Sequence, residues 1–198
     1  MTILSAAEIA KFKTLVATDG SFNEKECSAY LYAATDYLLG VTPFRMKELS
    51  LEARSPYGRS DYIIVADIKS GHGAIETHMI FFELKAPQCY LVQLDDARRY
   101  RPTNDLVKAE TQLIHYVEQA KGDGDLREKH GIVGPHQISA GGIIIARDDH
   151  IAKVDSDSKL VDARHSFKLR QRSLYQTWKI LTWDRILEYV EPPPGLSL

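Results

Sequence analysis

Ser60-Asp61-Tyr62-Ile63-Ile64-Val65-Ala66-Asp67-Ile68 and Glu76-Thr77-His78-Met79-Ile80-Phe81-Phe82-Glu83-Leu84-Lys85 flank the short connection Lys69-Ser70-Gly71-His72-Gly73-Ala74. Both flanks are apolar and rich in β-branched and aromatic residues, which favour strands. The two glycines supply the backbone freedom that a reversal needs, so the stretch reads as a hairpin. With its centre at His72, residues whose numbers sum to 144 face each other, and Asp61 falls opposite Glu83. Directly opposed residues carry Cβ atoms about 5 Å apart. Lys85 lies two residues beyond Glu83 and shares its face. Two opposed carboxylates repel each other, and a hard divalent cation relieves that repulsion, since Mg²⁺ binds through one or two carboxylates together with phosphate oxygens and water. A neighbouring ammonium can stabilise charge on a phosphate. The set suits metal-assisted phosphodiester hydrolysis. Asp, Glu and Lys are also common at strand ends, and a slip of one residue would turn Glu83 to the opposite face, so the register carries the reading.

The chain has 198 residues, long enough for one domain with a substantial core. Its 44% hydrophobic and 26% charged residues are ordinary for a globular protein. The net charge of −2 gives no overall attraction to a polyanion, so a nucleic-acid surface has to be local. No apolar run approaches the length of a membrane span. The N-terminus lacks the basic start and apolar run of a signal peptide. Cys27 and Cys89 are far apart and outside any C-x-x-C, which argues against structural zinc and a disulfide framework. Cytoplasmic location and no membrane partner are the expectations. The seven histidines show no H-E-x-x-H spacing, and neither a P-loop nor a nucleophile elbow is present.

In chain order, 5–17 reads as a weak amphipathic helix. Asn23 reads as the N-cap of a helix running to Leu39 and ended by Gly40. Glu24 and Glu26 stand in its first turn, where acids complement the helix dipole. An edge strand is expected within 43–53, then a turn at Ser55-Pro56-Tyr57-Gly58. Beyond Lys85, 90–92 resumes a strand briefly. Arg98-Arg99-Tyr100-Arg101 is either a solvated basic loop or a phosphate-holding loop in which Tyr100 stacks on a base. Thr103 or Asn104 caps a helix to Lys121 with Gly122 as its stop, and Gln112 and Tyr116 share one of its faces. Residues 122–137 read as a long loop and 140–147 as an inner strand. A basic amphipathic stretch follows from Arg164 past Trp178, with Lys168, Arg170 and Arg172 as a second candidate for contacting DNA. Thr182 caps a last helix over 183–190, before Pro192-Pro193-Pro194.

Asp61 followed by Glu83-Leu84-Lys85 resembles the D…(D/E)-x-K signature of the PD-(D/E)XK nuclease superfamily, and Gln112-x-x-x-Tyr116 resembles the Q-x-x-x-Y element of its exonuclease-like branch. Phe82-Glu83-Leu84-Lys85-Ala86-Pro87, the Gly141-Gly142 strand and Ile180-Leu181-Thr182-Trp183-Asp184-Arg185-Ile186-Leu187 together resemble the nuclease domain of the Shedu anti-phage defence proteins. The resemblance implies an α/β fold with a restriction-endonuclease-like αβββαβ core, a mixed sheet sandwiched by helices. It divides the chain into an N-terminal helical extension (1–22), a nuclease-like domain (23–190) and a tail (191–198). It also implies an Mg²⁺-dependent DNA endonuclease in which Mn²⁺ substitutes. Asp61, Glu83 and the Leu84 carbonyl would hold the metal, with Glu24 as a further acid. Lys85 would assist the attacking water or stabilise the transition state, Gln112 would orient the water or Lys85, and Tyr116 would pack beneath. DNA is the implied partner, with a homo-oligomer (dimer or tetramer) and a regulatory partner as further implications. The alternatives are a nuclease-fold module that binds nucleic acid or protein without cutting, and an α/β interaction protein in which these residues are incidental.

Overall fold

The computed structural model describes residues 3–20, 22–55, 58–95, 99–154, 156–175 and 178–191. A five-stranded mixed sheet in the order β1-β2-β3-β6-β7 forms its centre. β1 (Arg45–Ser55), β2 (Gly58–Lys69) and β3 (Ile75–Leu84) are an antiparallel meander, to which β6 (Ile138–Ile144) and β7 (Lys179–Leu181) add in parallel. β4 (Val92–Leu94) and β5 (Tyr100–Pro102) form a separate ribbon.

The β2–β3 register is the one the hairpin pattern demands: Tyr62 pairs with Phe82 and Lys69 with Ile75, so paired numbers sum to 144. The reversal is closed by Ser70 N–H to Ala74 O and Gly73 N–H to Ser70 O, with Gly73 at φ 85°. Strand alternation then sorts the side chains. Val65, Met79 and Phe81 meet α4 (Asn104–Gly122), through Leu106, Ala109, Leu113 and Val117. Tyr62, Ile64, Phe82 and Leu84 meet α1 (Ala6–Ala17), α3 (Thr35–Leu39) and α7 (Trp183–Val190) on the other face. Helices therefore cover both sides of the sheet, the arrangement expected for two strands buried on both faces. Among the described residues no helix is long and apolar enough to cross a membrane.

Several elements differ from the sequence expectation. The single helix expected over 23–39 is broken into α2 (Glu24–Ser28), a 3₁₀ turn (Leu31–Ala34) and α3. Asn23 makes no side-chain cap; its Nδ2 donates instead to Leu15 O, at the end of α1. Tertiary bonding has outcompeted the local cap. Gly40 does end α3, at φ 70°. The expected loop 122–137 contains α5 (Gly124–His130), capped by Asp123 and stopped by Gly131 at φ 70°. It buries no residue, so no apolar stripe announced it. The basic stretch from 100 is strand β5 rather than loop, and α6 (Asp157–Leu174) begins before the basic amphipathic stretch expected from Arg164. Pro56 and Tyr57 of the expected turn, and Pro192-Pro193-Pro194, lie outside the described residues.

The Gly141-Gly142 pair follows from packing. The β3–β6 register shifts between Phe81 and Phe82. A Cβ on Gly141 would lie 2.2 Å from the Phe82 ring, and one on Gly142 would lie 2.3 Å from the Lys179 carbonyl oxygen. The second obstacle is backbone, so Gly142→Ala has to push β7 away from β6. We expect a loss of about 2–3 kcal/mol, read as a lower urea midpoint; an unchanged midpoint would contradict the close approach.

Candidate active site

The paired register of β2 and β3 runs to Tyr62 and Phe82, and its next step brings Asp61 opposite Glu83. Both belong to the α4 face of the sheet, and Lys85 follows on the same side. Asp61 Oδ2 accepts a hydrogen bond from the Leu84 backbone N–H at 3.0 Å. Lys85 Nζ donates to Glu83 Oε1 at 2.7 Å and to the Leu84 carbonyl at 2.9 Å. The Glu83 side chain is 1% exposed and its Oε2 has no hydrogen-bond partner. A buried carboxylate oxygen without a donor is costly to leave so.

That cost shows in the electrostatics. Burial and the Asp61 charge push the Glu83 carboxyl up to about 8, although Lys85 pulls the other way. For Lys85, burial alone would lower the ammonium, but Glu83, Asp61 and Glu24 outweigh it and hold it above its ordinary value. The contrast is Asp67, six residues along the same strand and paired with Thr77. Burial there also acts upward, yet Thr77 Oγ1 donates at 2.8 Å, Arg45 Nε at 2.9 Å, and Lys47 Nζ lies 3.0 Å away. Together they hold Asp67 down at about 2. Asp67 is satisfied as an anion by its own protein; Glu83 has only Lys85 on one oxygen and, through a shared proton, the Asp61 carboxylate beside it.

α4 supplies the next layer. Its N-terminus is fixed by Thr103, whose hydroxyl accepts from Leu106 N–H. Gln112 bonds the Tyr116 hydroxyl, and burial together with the Glu83 and Asp61 charges raises Tyr116 above its usual value. The hydroxyl therefore stays protonated and able to donate. His115 meets the Tyr116 ring edge-on at 5.9 Å. Of the two acids in α2, Glu24 is half-buried and its charge reaches Lys85 and Cys89, while Glu26 is exposed. Asp61, Glu83, Lys85, Gln112, Tyr116 and Glu24 thus converge on one end of the hairpin.

A hard divalent cation fits this donor set through two carboxylates, one of them with an orphaned oxygen, and the Leu84 carbonyl. Among the described residues no group of three or more His, Cys, Asp or Glu side chains is gathered for a metal. Substrate oxygens and water would have to complete the coordination, as is usual for Mg²⁺.

The residues that hold the end of β3 in place were not foreseen from local sequence. Trp183 is fully buried, and its Nε1 donates to the Lys85 carbonyl at 2.7 Å. Lys85 N–H donates to Ile144 O, and Trp183 N–H to the carbonyl of Ala146, the only non-glycine with positive φ (62°) among the described residues. Gln88, just past the site, accepts from Asn23 N–H and donates to Thr18 O. Arg147 donates to Val16 O and Ala17 O. Both clasp the end of α1 to the loops beside the site. A tryptophan directly after Ile180-Leu181-Thr182 was visible in the sequence, but its hydrogen-bond partner was not.

The basic residues are more scattered. Arg98 lies outside the described residues. Arg99 pairs with Asp95, Nε to Oδ2 at 3.1 Å. Tyr100 packs against the core with its hydroxyl donating to Lys159 O, and Arg101 is exposed on β5. Arg170 is tied to Tyr175 and Glu110, whereas Lys168 and Arg172 line a hollow beside β7.

A family model described as Shedu protein SduA, C-terminal, matches residues 4–187. No curated protein matches the chain in sequence.

Proposed function

The chain belongs to the Shedu SduA C-terminal family, and from that premise we propose that it is a metal-dependent deoxyribonuclease of the PD-(D/E)XK kind, acting in anti-phage defence. The observation that carries the reading is the buried Glu83 with its unpartnered Oε2, opposite Asp61 and bonded to Lys85. A structural ion pair would satisfy both carboxylate oxygens, as the Asp67 cluster does. An acid kept high by burial at a strand end, beside a second acid and an ammonium, has the pattern of a functional group.

In this reading Asp61, Glu83 and the Leu84 carbonyl hold Mg²⁺, with Glu24 flanking Lys85. The bound cation supplies an activated water and neutralises charge at phosphorus. The protein's own residues do the rest. Lys85 stays charged and stabilises negative charge on the phosphate or orients the attacking water. The neutral Tyr116 hydroxyl and Gln112 orient Lys85 or that water by hydrogen bonds. Leu84 N–H keeps Asp61 turned toward the site. Trp183 fixes the Lys85 backbone, so the ammonium does not have to be ordered during the reaction.

The test is cleavage of supercoiled, linear and single-stranded DNA by purified protein. Cutting with Mg²⁺ or Mn²⁺ that stops in EDTA is the expected result. Absence of cutting on all three substrates with either metal would overturn the nuclease reading and favour a module that binds without cleaving.

A further inference from the structure

Between the end of α6 and the edge strand β7 lies a hollow of about 310 Å³ lined by Lys168, Gln171, Arg172, Tyr175, Trp178 and Lys179. A second, of about 270 Å³, shares Tyr175, Trp178 and Lys179 and continues over Ser139, Ala140 and Gly141. Among the described residues the two linings hold three cations and no acid. Complementing the helix dipole accounts for Arg172, in the last turn of α6. It does not account for Lys179, which comes from β7, or for the aromatic pair.

That pair is held in place before any ligand arrives. Tyr175 and Trp178 lie with ring centroids 4.7 Å apart at 53°. The Tyr175 hydroxyl donates to the Glu110 carboxylate and accepts from Arg170 Nε at 3.0 Å. Arg170 also lies over the Tyr175 ring, 5.7 Å from its centre, with Glu110 3.8 Å away. Arg170 is therefore spent on fixing the ring, which leaves Lys168, Arg172 and Lys179 as the charges facing the hollow. Trp178 is half-buried against the fixed ring. Gln171 Nε2 donates to Ile180 O at 3.0 Å, covering a carbonyl of the β7 edge and disfavouring strand addition there. Ile80, in the second hollow, is three residues before Glu83 and so points to the other face of the sheet. The second hollow therefore lies on the face away from the hairpin site.

We propose that this double hollow binds a nucleotide, its planar base stacking on the Trp178–Tyr175 pair and its phosphates meeting Lys168, Arg172 and Lys179. Fixed aromatic faces beside cations suit a base joined to phosphate, since stacking tolerates any base and the charge selects the anion. Each hollow is near the lower end of the range for ligand pockets, which fits one nucleotide unit and not a duplex. A free nucleoside triphosphate and an unpaired nucleotide of a polynucleotide present the same chemistry.

The protein carries only two tryptophans, Trp178 and Trp183, and the second is fully buried, so fluorescence quenching reads the hollow directly. Quenching is measured in EDTA with ATP in one arm and a short oligothymidylate in the other, alongside binding of the labelled probes. The assay needs neither metal nor cleavage, so its failure is distinct from failure of the nuclease reading. Saturable binding of at least one probe is expected, weakened about tenfold or more in a Lys168→Ala/Arg172→Ala variant. Trp178→Phe should abolish the quenching. Response to ATP alone marks an effector pocket; response to the oligonucleotide alone marks a contact for unpaired DNA. In the latter case the double variant should flatten the salt slope by about 1.4, or 0.7 for each lost cation. If neither probe binds the wild type, or the double variant binds as the wild type does, the assignment falls.

Discussion

Glu83→Gln and Lys85→Met are each expected to lower the proposed metal-dependent DNA cleavage by about a thousandfold or more, for different reasons, and binding measurements separate them. A thousandfold is about 4 kcal/mol of transition-state stabilisation, within the range that one well-placed charge or a lost metal contact supplies. Glu83→Gln keeps the shape of the side chain but removes the negative charge, so metal affinity falls together with rate. Lys85→Met removes only the ammonium, so the loss appears in kcat while metal and DNA binding persist. Breaking a buried ion pair from one side normally destabilises a protein by about 3–5 kcal/mol, because a bare charge is left behind. Here the loss is smaller, since burial already pushes Glu83 up to about 8 and without Lys85 it takes a proton instead of remaining an anion. Circular dichroism should show both variants folded. If either folded variant cuts at wild-type rate, the hairpin end is not the active site.

Why the hairpin could be read from the sequence and its surroundings could not is a matter of range. Strand pairing is a local property: two β-rich flanks and two glycines fix the β2–β3 pairing with few alternatives, and Asp61 and Glu83 follow from the register. Gln112 and Tyr116 were legible because a helix spaces its own residues, although only the fold brings α4 over the α4-side face of β3. The contacts that hold the site are long-range. Trp183 is 98 residues from the carbonyl it bonds, and Arg147 is 131 from Val16 O. Nothing in a window of residues encodes those distances. Local signals also lost to tertiary ones, as when Asn23 gave up capping α2 to bond Leu15 O. α5 escaped notice for the opposite reason, having polar caps but no buried face. Tyr175 and Trp178 were passed over as part of an amphipathic run because a strand, β7, starts directly after them.

With Glu83 as a ligand of the proposed metal site, divalent metal ions are expected to stabilise the protein more as pH rises from about 6 to about 9. In the unfolded chain a glutamate loses its proton near pH 4.3, whereas in the folded protein burial and Asp61 hold Glu83 at about 8. Between those values the folded state keeps a proton that the unfolded state has lost, so metal-free stability falls as pH climbs through the window. The drop amounts to about 5 kcal/mol at most, each unit of difference being about 1.4 kcal/mol. Lys85 does not offset it there. Its raised folded value contributes stability that is complete below the unfolded lysine value near 10.4 and is lost only above it. Asp67 acts at the acid end: its depressed carboxyl contributes stability present above pH 3.9 and lost as pH falls through about 2. A cation bound by Glu83 must displace the proton, so apparent affinity weakens about tenfold per unit below pH 8, or about a hundredfold from pH 8 to pH 6. Calorimetric titration with Mg²⁺ and thermal unfolding at matched ionic strength would show both trends, the second through mass action. Glu83→Gln should abolish the metal-free pH trend and remove the metal response. A metal affinity that is flat from pH 6 to pH 9 in the wild type would mean that Glu83 is not a ligand, and the cation would then have to be sought at Asp61 and Glu24.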